Sequence, residues 1–284
     1  METIIKKAGV LVEAMPYIDQ FRKKVFVIKY GGSILHDDAI RRSVLEDIVF
    51  LSYVGIRIIL IHGGGPHISN RLKAIGVEPE FHNGIRVTDE KTLKIVVEEL
   101  DAINAQIVND IRALHGDASG LKGDENIVYV EKKKSDRDLG YVGTITNIER
   151  RIIENYLRRG RITVVAPLGV SADKQTHNVN ADEVASAIAS SVSAEKFVLL
   201  TNVPGVLADP KDPASLFSTL TLEDVDRLKK DGTIAGGMIP KVDSCIEAVL
   251  GGIPKAHIID ARMDHALLLE IFTDTGVGTQ IVQK

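Results

Sequence analysis

Short, almost wholly apolar runs recur along this chain with helix-like stretches between them: Val25 to Lys29, Ile56 to Ile61, Ile162 to Ala166 and Phe197 to Thr201. No other feature constrains the fold as much. A strand apolar on both sides must be covered on both faces, and strands separated by helices run parallel. Asp37 to Tyr53 has helical spacing at Ile40, Val44, Ile48 and Leu51. Pro66 fits the first turn of a helix that reaches Gly76, and a long helix follows Asp89. Thr146-x-x-Glu149 reads as a capping box for a helix ending near Gly160. Further helices are predicted over Ala181 to Val192, from Thr221 to near Gly232, and from Pro240 to Gly251. Ile127 to Val130, Tyr141 to Ile145, His257 to Ile259 and Gln280 to Val282 read as short strands. Lys122 to Asp138 is largely charged and reads as an excursion from the core. The expectation is an α/β chain with a mainly parallel sheet, divided near Ser193 to Glu195.

Composition narrows the function classes. Lys plus Arg is 35 against 39 for Asp plus Glu, a net charge of −4, so no basic excess points to nucleic acid or an anionic membrane. Cys245 is the only cysteine, which excludes an intrachain disulfide and a cysteine-built metal cluster. The histidines show no metal-ligand spacing, and no metal site is expected. No apolar run approaches the roughly 18 residues of a spanning helix. The opening Met-Glu-Thr-Ile-Ile-Lys-Lys leads into no secretory leader, so a cytoplasmic location is the expectation. The Walker A string, the dinucleotide Gly-x-Gly-x-x-Gly, the protein-kinase motifs, Gly-x-Ser-x-Gly and His-Glu-x-x-His are all missing.

What remains is a set of glycine turns beside lysines. Lys29-Tyr30-Gly31-Gly32-Ser33 ends the first strand before a helix, at the edge where open α/β sheets bind ligands. Adjacent glycines expose backbone N–H groups to an anion, and the helix adds its positive end. His62-Gly63-Gly64-Gly65-Pro66 repeats the design after the second strand. Three successive glycines exceed what a turn requires and allow close approach of a ligand; His62 itself reads as a structural hydrogen bonder. Arg86, in Asn83-Gly84-Ile85-Arg86-Val87-Thr88, could hold a carboxylate in a fork. Asn180 reads as a helix N-cap within Asn178-Val179-Asn180-Ala181-Asp182. Lys241 follows Gly236-Gly237 in the first turn of a helix, where it opposes the dipole unless an anion binds there. The similar Gly251-Gly252-Ile253-Pro254-Lys255 follows a helix and reads as C-cap and loop.

In this order, and together with Leu199 to Leu207, these strings closely resemble the amino-acid kinase family over residues 25 to 282. The Asn83 to Thr88 segment is similar to that of the acetylglutamate kinase branch. The resemblance implies a three-layer αβα sandwich in two lobes. Residues 25–194 would bind the acyl amino acid and dimerise, and residues 195–284 would bind ATP and arginine. It implies ATP-dependent phosphorylation of the side-chain carboxylate of N-acetyl-L-glutamate, on the route to arginine. That carboxylate is already ionised, so the task is positioning and charge neutralisation, not proton removal. Lys29 and Lys241 would face the transferring phosphoryl group, with Asp182 orienting both. Gly64, Gly65, Arg86 and Asn178 would hold the acetylglutamate. Gly31, Gly32, Asn202, Val203, Pro204, Gly205, Val206, Leu207, Thr233, Ile234 and Ala235 would line the nucleotide, with Mg²⁺ held mainly by its phosphates. Where the family usually carries Asp, this chain has Asn202, and a change in nucleotide affinity is expected.

Residues 1–24 precede the first strand and carry a helical apolar stripe of Val10, Leu11, Ala14, Ile18 and Phe21, with Pro16 as the expected kink. Arginine-inhibited members of the branch use such a helix to interlace dimers into hexamers, as a trimer of dimers. Their arginine site resembles His257 to Gly278 here, and would comprise Tyr17, His257, Glu270, Gly276 and Gly278, with Glu270 on the guanidinium. Some members of the branch also bind a PII signalling protein, a further partner that the resemblance implies. Two alternatives keep the fold: a kinase for N-acetyl-2-aminoadipate, and a non-catalytic arginine sensor.

Overall fold

The computed structural model describes residues 2–32, 37–274 and 276–284, with the side chains of 2–8 and Asp124 outside the description. Ser33 of the first glycine string lies outside the described residues. An eight-stranded sheet organises the chain. From edge to edge its order is Thr219–Thr221, Thr279–Val282, Lys255–Asp260, Lys196–Thr201, Val25–Tyr30, Arg57–His62, Ile162–Val165 and Ala118–Leu121. All neighbours are parallel except Lys255–Asp260 against Thr279–Val282. Strands from early in the sequence lie to one side of Val25–Tyr30, and strands from residue 196 onward lie to the other. The boundary between Val25–Tyr30 and Lys196–Thr201 is therefore a topological switch point, where a ligand crevice opens.

Alternate residues of each central strand enter different cores. Val27, Ile59, Ile61, Phe197 and Leu199 pack with Val184, Ile188, Val242 and Cys245 from helices Ala181–Ser191 and Met238–Leu250. Phe26, Ile28, Tyr30, Ile58, Leu60, Val198 and Leu200 pack with Val44, Ile48, Ile103 and Ile107 from helices Asp38–Tyr53 and Glu90–Ala113. Helix, sheet and helix thus form three layers. Each buried Leu or Ile contributes about 1.5–3 kcal/mol, and the glycine turns and Lys29 of the site lie at the ends of these strands.

The helix starts follow from local chemistry. Asp37 accepts from Ala39 and Ile40 N–H, Asp89 from Thr92, and Asn180 from Asp182. Thr221 and Asp224 form a reciprocal capping box. Gly251 caps the end of Met238–Leu250, as its string suggests. That helix starts at Met238, two residues before Pro240, because Pro240 is tolerated within the first turn, where its missing N–H has no intrahelical partner to lose.

Thr146 is not an N-cap. It lies within strand Gly143–Ile148, and Glu149 caps helix Arg150–Arg158 by accepting from Arg151 N–H. The run Thr144-Ile145-Thr146 is β-branched and lies in a ladder with Val128–Lys132, which pairs Thr144, Ile145 and Asn147 and outweighs the capping pattern. That partner strand lies inside the charged excursion, yet Val128 and Val130 are buried. With Leu168–Val170 and Thr176–Asn178 they form a second, four-stranded sheet. The N-terminal helix, Glu2–Phe21, runs through Pro16. Phe21 is buried edge-on against Phe26, with ring centroids 5.3 Å apart, whereas Val10, Leu11, Val12 and Met15 are exposed.

Candidate active site

Lys29 is the second-last residue of strand Val25–Tyr30 and shares a face with Val27, the face covered by helix Ala181–Ser191. Asp182 opens that helix. The two side chains meet at 2.7 Å, Nζ to Oδ1, and both are largely shielded. Asn180 holds the Asp182 amide at 2.8 Å and so fixes the first turn. Lys241, from helix Met238–Leu250, donates to the Gly237 carbonyl at 3.3 Å. Burial lowers its pKa, the Asp182 carboxylate raises it and the Lys29 ammonium lowers it again, so the three charges share one field.

The two glycine turns stand back to back on adjacent strands. A Cβ on Gly32 would come within 3.2 Å of Gly64 N and 3.3 Å of Gly65 N, so no larger residue fits that gap without displacing backbone. Gly64 starts helix Gly65–Ala74 with no side-chain cap. That leaves amide donors and the positive helix end open to an anion. A cavity of about 280 Å³ opens here, walled by Lys29, Gly32, Gly63 to Gly65, Arg86 and Asn178.

Arg86 is 7% exposed. Its Nη2 donates to the Gly65 carbonyl at 3.0 Å and to Ser69 Oγ at 2.8 Å, and its guanidinium stacks 4.7 Å from the Phe81 ring centroid. Nη1 is buried and has no partner. A guanidinium clamped at one end in the wall of a cavity is placed to meet a carboxylate or phosphate oxygen. Asn178 Nδ2 donates to Thr88 Oγ1 at 3.1 Å, which ties this wall to the Arg86 loop. Ser69 and Phe81 have no distinguishing sequence signal; only their approach to Arg86 reveals them.

Asn202 to Leu207 leave the C-terminal end of strand Lys196–Thr201, one strand from Lys29. Gly205 has φ +146°, and a Cβ there would lie 2.5 Å from Thr279 Oγ1, which accepts from Val206 N–H. The Val206 and Ile234 side chains are core residues. Neither Asn202 to Leu207 nor Thr233 to Ala235 lines the 280 Å³ cavity, which also excludes Lys241; Gly31 N–H is held by the Leu200 carbonyl at 3.3 Å.

A second polar cluster lies at the opposite end of the same central strands. Glu270 accepts from His257 Nδ1 at 2.6 Å, Val277 N–H at 2.7 Å and Gly278 N–H at 3.1 Å. Burial pushes Glu270 up, but His257 and these amides outweigh it and hold the carboxyl below its ordinary range. Gly276 leaves the room, since a Cβ there would lie 2.7 Å from Glu270 Oε2. His257 Nε2 faces Lys196 Nζ at 3.1 Å. Burial, then the Lys255 charge, pushes Lys196 down to about 8. Tyr17 donates to Asp274 at 2.5 Å, so the N-terminal helix closes one side of a small cavity with Glu270 and Lys196. Lys196 went unnoticed in the sequence because a lysine at a strand start ordinarily reads as solvated.

Comparison with known proteins places the chain among related enzymes. An acetylglutamate kinase of Caldanaerobacter subterraneus subsp. tengcongensis is 49% identical over 279 residues, covering 98% of this chain and 93% of that one. A solved structure of Neisseria gonorrhoeae N-acetylglutamate synthase, complexed with coenzyme A and N-acetyl-glutamate, superposes with a TM-score of 0.88 at 27% identity. It covers 98% of this chain, which spans 63% of that enzyme's length. The same synthase with coenzyme A and L-arginine gives 0.84 at 26% identity, covering 98% of this chain and 65% of that one. The model of the amino acid kinase family matches residues 24–260, and the chain belongs to that family.

Proposed function

We propose that the chain transfers the γ-phosphoryl group of ATP to the side-chain carboxylate of N-acetyl-L-glutamate. The observation that carries this is Arg86, buried and clamped by Gly65 and Ser69, in the wall of a cavity shared with Lys29 and the Gly63 to Gly65 turn. The relative at 49% identity bears this activity in its name. Arg86 and Asn178 hold the acyl amino acid, with Arg86 on the α-carboxylate. The reacting carboxylate then points towards Lys29.

Both reactants are anions, so the barrier is chiefly electrostatic. Lys29 and Lys241 neutralise the transferring group, and Asp182 keeps Lys29 aimed through its ion pair. The open amides of Gly32, Gly64 and Gly65 receive oxygens of the phosphoryl group or the acceptor, and Gly64 and Gly65 hold the acetylglutamate with Arg86 and Asn178. Residues 25–194 form the acyl-amino-acid lobe and residues 195–284 the nucleotide lobe, with Asn202 to Leu207 and Thr233 to Ala235 against ATP. Mg²⁺ enters as part of the nucleotide substrate. Asn202 offers an amide where a carboxylate is usual, which alters nucleotide affinity without abolishing transfer.

The Glu270 cluster is an arginine site with Tyr17, His257, Gly276 and Gly278, and arginine inhibits the enzyme. The synthase structure holding L-arginine supports this reading. The exposed Val10, Leu11, Val12 and Met15 face of Glu2–Phe21 interlaces copies into a hexamer. Among the described residues no helix is long and apolar enough to cross a membrane; we assign the enzyme to the cytoplasm.

Trapping of an acyl phosphate with hydroxylamine tests the main reading. ATP-dependent hydroxamate from N-acetyl-L-glutamate is expected, with weaker turnover of N-acetyl-2-aminoadipate. Nucleotide binding without product from either acid would overturn it in favour of a sensor.

A further inference from the structure

We infer that His62 is a positioning residue: Asn104 holds its ring in one tautomer, and the ring in turn clamps the Gly63 carbonyl and so fixes the plane of the Gly63–Gly64 peptide.

His62 ends strand Arg57–His62 with no exposure, on the face covered by helix Glu90–Ala113. Asn104, in the middle of that helix, is also buried. Its Nδ2 donates to the Val164 carbonyl at 3.1 Å and lies 3.2 Å from His62 Nε2. An amide nitrogen has two hydrogens and no acceptor to offer. With one hydrogen on Val164, the other goes to Nε2, which must accept it. The alternative amide orientation would set Oδ1 against the Val164 oxygen. The ring proton therefore resides on Nδ1, 3.2 Å from the Gly63 carbonyl. Burial favours the neutral ring that this arrangement needs.

The arrangement carries a cost that packing does not explain. Asn104 Oδ1 is buried without a partner. It presses on Gly120, where a Cβ would lie 2.0 Å away. Leucine would fill the same space without stranding an acceptor. What asparagine supplies and leucine cannot is the pair of hydrogens, one of them spent on His62.

The peptide between Gly63 and Gly64 is planar, with its C=O and N–H on opposite sides. Holding the oxygen therefore aims the Gly64 N–H. Glycine on both sides leaves this peptide freer to rotate than one flanked by side chains. Gly64 N and Gly65 N lie against Gly32, where the proposed reaction brings phosphate oxygens. His62 thus acts on the reacting group through the backbone and does not touch it. The kinetic consequence rests on the kinase reading, while the tautomer does not.

Nitrogen-15 NMR of the full-length chain labelled at histidine reports the tautomer directly, with the His62 signal assigned by its loss in His62→Asn. A neutral ring protonated on Nδ1 at pH 7 is expected, and protonation on Nε2 would overturn the inference. Asn104→Asp keeps the shape but cannot donate, so it should draw the proton to Nε2. Its kcat should fall about tenfold or more, as expected when a catalytic donor is misplaced, with each KM changed far less. His62→Asn places an amide donor where Nδ1 stood and should recover most of kcat, whereas His62→Phe should not, at matched melting temperatures. Equal loss in both His62 variants would overturn the positioning role. Should Asn104→Asp fail to fold, the His62 pair and the wild-type tautomer decide. Should the wild-type chain show no turnover, the kinase reading fails, and the tautomer alone decides the clamp.

Discussion

Lys29 and Asp182 form an ion pair at 2.7 Å that joins the end of a central strand to the first turn of the helix packed over it. The pair spans two layers of the fold. Its geometry is set by strand parity, since Lys29 faces the same way as Val27, and by the Asn180 cap that fixes where the helix begins.

Lys241→Met should lower kcat by about 10²–10³, the usual effect of deleting one preorganised donor at a developing charge. KM for both substrates should change little, because Lys241 lies outside the cavity proposed to hold the acceptor. Steady-state kinetics decide this, and an unchanged kcat would remove Lys241 from the mechanism.

Arg86→Lys should raise KM for N-acetyl-L-glutamate by about tenfold or more, since a lysine supplies a point charge and no planar fork. The clamp by Gly65 and Ser69 holds only a guanidinium in this orientation. Initial rates against acetylglutamate, at saturating ATP, test this; an equal rise in the ATP KM would count against the assignment.

Glu270→Gln should abolish arginine inhibition and leave kcat near the parent value, because Glu270 lies at the far end of the strands from Lys29. Removing residues 1–20, and with them the Tyr17 contact to Asp274, should weaken inhibition as well. Inhibition curves on the three proteins check both statements, and intact inhibition after the deletion would free the helix from this role.

Acid should destabilise the fold through His62, whose pKa burial pushes down to about 4. In an unfolded chain the imidazole titrates near 6.5. Between these values the unfolded state binds more protons than the native one, so stability rises with pH and is lost as pH falls through the window. The contribution reaches about 1.4 kcal/mol per pH unit. Melting temperatures from pH 4 to 7 should show a shallower acid limb for His62→Asn; an unchanged limb would place acid lability elsewhere.

The order of strands and helices was legible because its signals are local. Apolar runs, glycine turns and caps such as Asp37, Asp89 and Thr221 act within a few residues of themselves. The edge strand Ala118–Leu121 escaped because Ser119 and Gly120 interrupt its apolar pattern, and Gly120 is needed only for Asn104, on a different element. Thr146 misled for the converse reason: the ladder that pairs its neighbours Ile145 and Asn147 with a distant strand is not part of the capping pattern.

Of the site, the sequence by itself determined the chemistry of the groups. Lysines, glycine amides, an arginine and an aspartate recur at strand ends and helix starts, and strand periodicity alone puts Lys29 beside Val27. Only the tertiary structure decided which helix covers each face. That choice delivers Asp182 to Lys29, Asn104 to His62, and Glu270 through His257 to Lys196. Such pairings join residues from 13 to more than 150 positions apart, and no local pattern encodes them. They follow from burying both faces of one sheet, which sets the helices in place and leaves polar side chains only the partners those helices bring.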